Sequence, residues 1–308
     1  MTDLRLTDLR PTLVTYPGGA CEAEATVLRV LPDPRAGEGE RLLVVTDVTP
    51  FHPRDPLWPD QPADHGQLRV PGLAPLPVRD TVTIAQRHGG PVMVDDAVDV
   101  RRDEADVVFV VGHAVDAEAG AHLAAAARVR LAVDRERRLR LSAAHSACHL
   151  LAYALNEATH GLWRKPAPAD SRGHHDLDAA ACAHTSHDVG GSLDRYRLGK
   201  SLRRRGFDTA EFLQRLPGII DTVNATLAGW IATDAAVRVE CAGPRLTDRR
   251  HWYCETPGGI AHMPCGGTHV RRLREIASMT AVADHDEAEG VLTIRNRVTV
   301  AEPADGAA

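Results

Sequence analysis

Two pairs of metal-capable residues, far apart in the chain, constrain its fold more than anything else in the sequence. His145 and His149 stand four apart in SAAHSACHLLAYALNEA. On a helix that spacing stacks both imidazoles on one face, one turn apart, where they can share a metal ion. Cys265 and His269 flank Gly266, Gly267 and Thr268 in PCGGTHV. Those glycines let the backbone turn tightly and bring a thiolate and an imidazole toward one point. Taken singly, each pair reads equally as partly buried histidines or as a glycine-rich turn with a buried cysteine. Together they make a donor set of three nitrogens and one sulfur, which suits zinc. A zinc finger draws its pairs from one short stretch to build a tiny core. Here the residues between the pairs read as folded domain, which predicts a site built on a scaffold.

The rest of the chain is read around these anchors. Helical spacing of Ala144, Cys148, Leu151, Ala152 and Leu155 predicts a helix over about 142–159, with Ser142 as its N-cap. Upstream, TLVTYP, ATVLRVL, RLLVVTDV, LPVRDTVTIA and DVVFVV are short β-branched runs broken by Gly, Pro and Asp, as in a small barrel or sandwich. The Pro-dense stretch 50–66 predicts an irregular loop. Residues 160–192 are polar and rich in His, Asp and Gly, and read as irregular with at most one strand. A second helix is expected over about 209–233, opened by the capping signal at Thr209 and Glu211 and strained at Pro217. AAVRVECA, HWYCET and VLTIRNRVTV follow as strands, with Cys241 and Cys254 read as buried strand residues. The expected fold is α+β. Residues 1–110 form a small β-barrel-like N-terminal domain, and residues 111–308 an α/β two-layer domain with an antiparallel sheet and the zinc site.

Composition narrows the function classes. Of 308 residues, 44% are hydrophobic, which excludes a disordered chain. The formal net charge of −6 argues against a nucleic-acid binder. The cations are clustered, however, at 135–140, 195–205 and 271–274, and clustering matters more than the sum. MTDLRLTDLR lacks an apolar signal core, and no stretch has the uncharged length of a membrane helix. The six cysteines are scattered and form no framework, so a reducing cytoplasm is the expected compartment.

HSACHLL and CGGTHV resemble the two zinc motifs of the alanyl-tRNA synthetase editing domain and its free-standing relatives, the AlaX-type trans-editing proteins. VRLAVDRERRLRLSAAHSACHLL is similar to the segment that enters the first motif. TPFHPRDPLWPDQPADHGQL resembles an upstream segment of the family, with Gln61, Pro62, Asp64 and Gly66 fitting its second half. The resemblance spans roughly residues 12–300. It implies a zinc-dependent aminoacyl-tRNA deacylase, with His145, His149, Cys265 and His269 as metal and catalytic residues. With no aminoacylation domain recognisable, the protein would act in trans on a tRNA charged elsewhere. The family norm is Ser- or Gly-tRNA(Ala).

Three departures point toward another substrate. Asp55–Asp60 replaces the family's glycine triplet, Cys148 stands where Thr is common, and the glutamine-bearing strand after the first helix is not recognisable. They imply a tRNA carrying a threonine-like or non-standard amino acid, such as a halogenated threonine. Cys148, Trp58, His187 and Thr268 are the pocket candidates, although a solvated loop is the plainer reading for His187. Arg197, Lys200, Arg203, Arg204 and Arg205, in YRLGKSLRRRGFD, are the candidates for tRNA phosphates. Two alternatives remain: a non-catalytic zinc-stabilised tRNA- or RNA-binding module, and a zinc hydrolase of small esters or amides.

Overall fold

The computed structural model describes residue 6 and residues 8–37, 40–56, 59–120 and 123–302. The chain is mixed α and β and divides into two compact units. One comprises Met1–Arg138, Cys241–Arg250 and Gly266–Thr268, the other Leu139–Glu240, His251–Cys265 and His269–Ala308.

The first unit is mostly sheet. Its strands are β1 (Leu13–Val14), β2 (Glu22–Pro32), β3 (Arg41–Thr46), β4 (Val48–Thr49), β5 (Gly66–Arg69), β6 (Leu76–Val78), β7 (Asp80–Arg87), β8 (Val92–Val94), β9 (Val107–Asp116) and β10 (Arg128–Val133), with a short helix α1 (Ala117–Gly120). Eight strands make one antiparallel sheet in the order β6-β5-β10-β2-β3-β9-β7-β8, while β1 pairs with β4 in parallel. Only Arg79 joins β6 to β7, yet five strands stand between them in that order, so the sheet curls back on itself. A register shift between Val27 and Arg29 of β2 adds to the bend. The central strands are buried on both faces, which is why they read as unbroken β-branched runs rather than alternating ones. Val44 packs with Val27, Phe51 and Leu131 on one side. Its neighbours Leu43 and Val45 pack with Ile84 and Val110 on the other.

The sequence boundary at residue 110 falls inside β9. Both β9 and β10 pair within this sheet, so the first unit runs on to Arg138. The segment matched by Gln61, Asp64 and Gly66 serves structure here. Asp64, fully buried, accepts from His52 N at 2.6 Å and pairs with the Arg138 guanidinium, whose Nε lies 2.9 Å away. Gly66 is required by close approach, because a Cβ there would sit 2.1 Å from Ala132 O.

The second unit is organised by helix α2 (Arg135–Thr159), which starts earlier than Ser142. Asp134 caps it, accepting from Arg137 N at 3.0 Å, and Ser142 is a buried interior residue. Every residue from Leu141 to Cys148 is buried, so this stretch of the helix has no solvent face. The polar stretch 160–192 is irregular only in its first half, over 163–176. It forms α3 (Leu177–Ala181), β11 (Cys182–Asp188) and the start of β12 (Gly191–Arg197). Asp176 caps α3 by accepting from Ala179 N. Only His187 of β11 is buried, which is why no apolar alternation betrays that strand. Then come α4 (Lys200–Arg204), α5 (Thr209–Ala232), β13 (Val237–Cys241), β14 (Arg250–Thr256), β15 (Gly259–Pro264), β16 (Ile276–Asp286) and β17 (Val291–Val300).

Asp208, rather than Thr209, caps α5, accepting from Glu211 N at 3.1 Å, and Pro217 is carried inside the helix. The sheets are antiparallel β11-β12-β17-β16 and the three-stranded β13-β14-β15. The stripe Phe212, Ile219, Ile220, Val223 and Leu227 joins one core with α2 and with Tyr196, Met279, Leu292 and Ile294 of the larger sheet. Asn224 of α5 clasps β16 through Ala281 O at 2.9 Å and Ala281 N at 2.7 Å. Cys254 is buried on β14 as expected, whereas Cys241, at the end of β13, is exposed. Among the described residues no helix is long and apolar enough to cross a membrane.

Candidate metal centre

Helix α2 and the turn after β15 bring the two sequence pairs together in the second unit. The ligand-capable atoms of His145, His149, Cys265 and His269 all lie within 4.8 Å of one another. Cys265 Sγ is 3.3 Å from Nε2 of His145 and 3.3 Å from Nε2 of His269. Donors around one tetrahedral metal stand roughly 3.4–3.6 Å apart, given metal–nitrogen and metal–sulfur bonds of about 2.1 and 2.3 Å. The four side chains are therefore already spaced as a ligand set that could hold a metal ion.

Two further observations fit that role. His149 Nε2 is shut from solvent and has no hydrogen-bond partner, a costly state for a polar atom that a metal ion would relieve. Burial, with a smaller push from His187, lowers the His149 pKa to about 3, so the imidazole stays neutral and its lone pair free to coordinate. Ser146, one residue on from His145, sets His269. Val270 N donates to Ser146 Oγ at 3.2 Å, and His269 Nδ1 lies 3.1 Å from the same oxygen. With the proton on Nδ1 donated to Ser146, Nε2 presents its lone pair toward Cys265.

The surroundings include residues the sequence did not single out. Trp252 of β14, fully buried, sets its ring 5.0 Å from His149 and 5.8 Å from His269. Asp194 of β12 is 2% exposed and accepts from Cys148 Sγ at 3.6 Å, Thr185 Oγ1 at 2.7 Å and Ser192 Oγ at 3.3 Å. One signal could have revealed it. Tyr196 of β12 and Leu198, just past its end, are both buried, and period-two alternation puts Asp194 on the same inward face.

Of the pocket candidates, His187 and Cys148 adjoin the cluster. The His187 ring centroid is 4.3 Å from that of His145, and burial holds its pKa down to about 4. Cys148 occupies the helix beside His149 with its thiol turned to Asp194. Thr268 has a structural engagement within the first unit. Gln61 donates to its Oγ1 at 2.9 Å and accepts from its backbone N at 2.9 Å. Trp58 lies outside the described residues.

Arg197, Lys200, Arg203, Arg204 and Arg205 are all exposed, and none pairs with a carboxylate among the described residues. The other basic runs are partly committed: Arg135 to Glu22, Arg138 to Asp64, and Arg272 and Arg274 to Asp234. No protein-family model matches the chain, and a search of curated proteins finds no match.

Proposed function

We propose that this chain is an aminoacyl-tRNA deacylase of the alanyl-tRNA synthetase editing type, which hydrolyses the ester of a mischarged tRNA with zinc as its metal. The observation that carries this reading is the convergence of His145, His149, Cys265 and His269, the motif residues of that family, on one set of donors. Three imidazoles and a thiolate match the ligand preference of zinc. Bound there, zinc would supply Lewis-acid polarisation or a more acidic water. The chain's own residues do the rest. Burial keeps His149 neutral, and Ser146 holds the His269 ring through Nδ1. His187, neutral and with both ring nitrogens lacking partners, is available to hold a water or a substrate hydroxyl. The exposed cations from Arg197 to Arg205 suit tRNA phosphates. Substrates within this reading are Ser- or Gly-tRNA(Ala), or a tRNA bearing a threonine-like residue.

The test is a deacylation panel with the full chain, comparing metal-loaded with chelator-treated protein. Seryl- and glycyl-tRNA(Ala), threonyl-tRNA and a tRNA charged with a threonine analogue form the panel. At least one should be hydrolysed more than a hundredfold faster than spontaneously, with loss on chelation and recovery with zinc. Inert metal-loaded protein across the whole panel sinks the reading.

One observation favours a second reading, a non-catalytic metal-stabilised RNA-binding module. The four protein donors already fill a tetrahedral set, whereas catalytic zinc usually keeps a position open. His149→Ala separates the two. A deacylase keeps tRNA affinity and loses turnover; a binding module loses fold and affinity together.

A further inference from the structure

We propose that Asp194 is the counter-charge for the α-ammonium group of the aminoacyl ester; the proposal rests on the deacylase reading above. Asp194 is buried, and each hydrogen bond to its carboxylate comes from a neutral group: the hydroxyls of Thr185 and Ser192 and the thiol of Cys148. No Lys or Arg pairs with it among the described residues, although the protein spends arginines freely on other buried or half-buried aspartates, such as Asp64, Asp95 and Asp33. A buried carboxylate without a cation is among the most costly groups a fold can carry. Burial accordingly pushes its pKa above the usual carboxylate range. A carboxylate offers about four acceptor sites, so three donors leave room for one more.

The place of this group matters as much as its charge. Ser192 is the register partner of His187, and Asp194 lies two residues further along the same face of β12. That spacing is about 6.6–6.8 Å along the strand. His187 in turn adjoins His145. From the other side, Cys148 ties the carboxylate to the residue next to His149.

An independent observation on the same face of the sheet calls for a ligand. His187 is 5% exposed, and both of its ring nitrogens lack any hydrogen-bond partner. This face of the sheet thus combines a buried carboxylate that has no Lys or Arg beside it among the described residues, only the exposed His184 as a nearby favourable charge, with one unsatisfied imidazole. In an aminoacyl ester the ammonium nitrogen is separated from the reacting carbonyl carbon by a single atom, so its counter-ion must stand beside the reaction centre. An N-acylated or peptidyl ester carries no charge at that nitrogen and leaves Asp194 without its partner. The pocket would therefore spare peptidyl-tRNA while admitting aminoacyl-tRNA.

The probes are a non-hydrolysable terminus analogue, 3′-(L-seryl)amino-3′-deoxyadenosine, and its N-acetyl derivative. Binding is measured by calorimetry on the zinc-loaded full chain. The unmodified protein should bind the free amine at least tenfold more tightly than the N-acetyl form. In Asp194→Asn that preference should fall below threefold. Ser192→Ala, which removes a neutral donor and keeps the charge, should retain it. Bound zinc and the thermal midpoint check that each variant is folded, and the comparison in the unmodified protein needs no variant. Equal binding of the two analogues by the unmodified protein, or an undiminished preference in Asp194→Asn, overturns the role given to Asp194. Failure of the unmodified protein to bind these analogues and their L-threonyl counterparts overturns the deacylase reading itself.

Discussion

At the scale of single residues, the metal centre and one ion pair carry sharply different weights. With zinc as the proposed metal, Cys265→Ser and His149→Ala each leave three donors and should lower bound zinc from an expected one per chain to well below half. Metal analysis after dialysis against a mild chelator measures this. Asp64 and Arg138 are a different kind of pair, with side chains 0% and 7% exposed. Removing one partner strands a buried charge, so Asp64→Ala should cost about 3–5 kcal/mol in urea unfolding. Arg272→Ala, at the half-exposed pair with Asp234, should cost about 1 kcal/mol or less in the same assay. The four donors were readable because spacing on a helix and across a glycine turn is a local property. Asp194 and Trp252 were not, because their relation to the cluster depends on which strand faces which helix.

Among the elements, α2 and β9 show how context overrides local pattern. Apolar spacing located the middle of α2, but its start is set by Asp134, whose capping role is hidden in a run of charges. β11 leaves no hydrophobic trace of its pairing with β12, because only His187 of its seven residues is buried. On β9, His113 is fully buried, with Nε2 at 2.7 Å from Thr49 Oγ1 and Nδ1 at 2.8 Å from Val44 O. Burial lowers its pKa from 6.5 to about 4, so the folded protein resists a proton that the unfolded chain accepts. The contribution of neutral His113 is complete above pH 6.5, shrinks as pH falls toward 4, and levels off below that. The loss amounts to about 3 kcal/mol at 1.36 kcal/mol per pKa unit. His113→Asn should flatten the stability profile by a comparable amount between pH 6.5 and 4, read from denaturant midpoints at each pH.

For the molecule as a whole, net charge is a poor guide to partners. The formal charge is −6, yet five cations between Arg197 and Arg205 lie exposed and free of carboxylates among the described residues. Replacing Arg203, Arg204 and Arg205 with alanine should weaken tRNA binding. The slope of log affinity against log salt should become shallower by about 2–3. Affinity for the small adenosine analogue should stay unchanged, because the proposal gives these side chains phosphates to bind rather than the metal centre. A triple variant that binds tRNA with the original salt slope removes this patch from the interface.

By itself the sequence determined the four candidate metal ligands, the α+β class, the two long helices and the β-rich first half. Each rests on spacing or periodicity within a few turns of chain, where backbone geometry alone fixes what neighbours what. Only the tertiary structure decided that the first unit runs to Arg138, that Gln61 and Asp64 are engaged in holding the fold, and that a buried carboxylate lies next to the row of His187. Those relations join residues distant in the chain. They depend on strand order and on the desolvation of particular polar groups, neither of which a local pattern encodes.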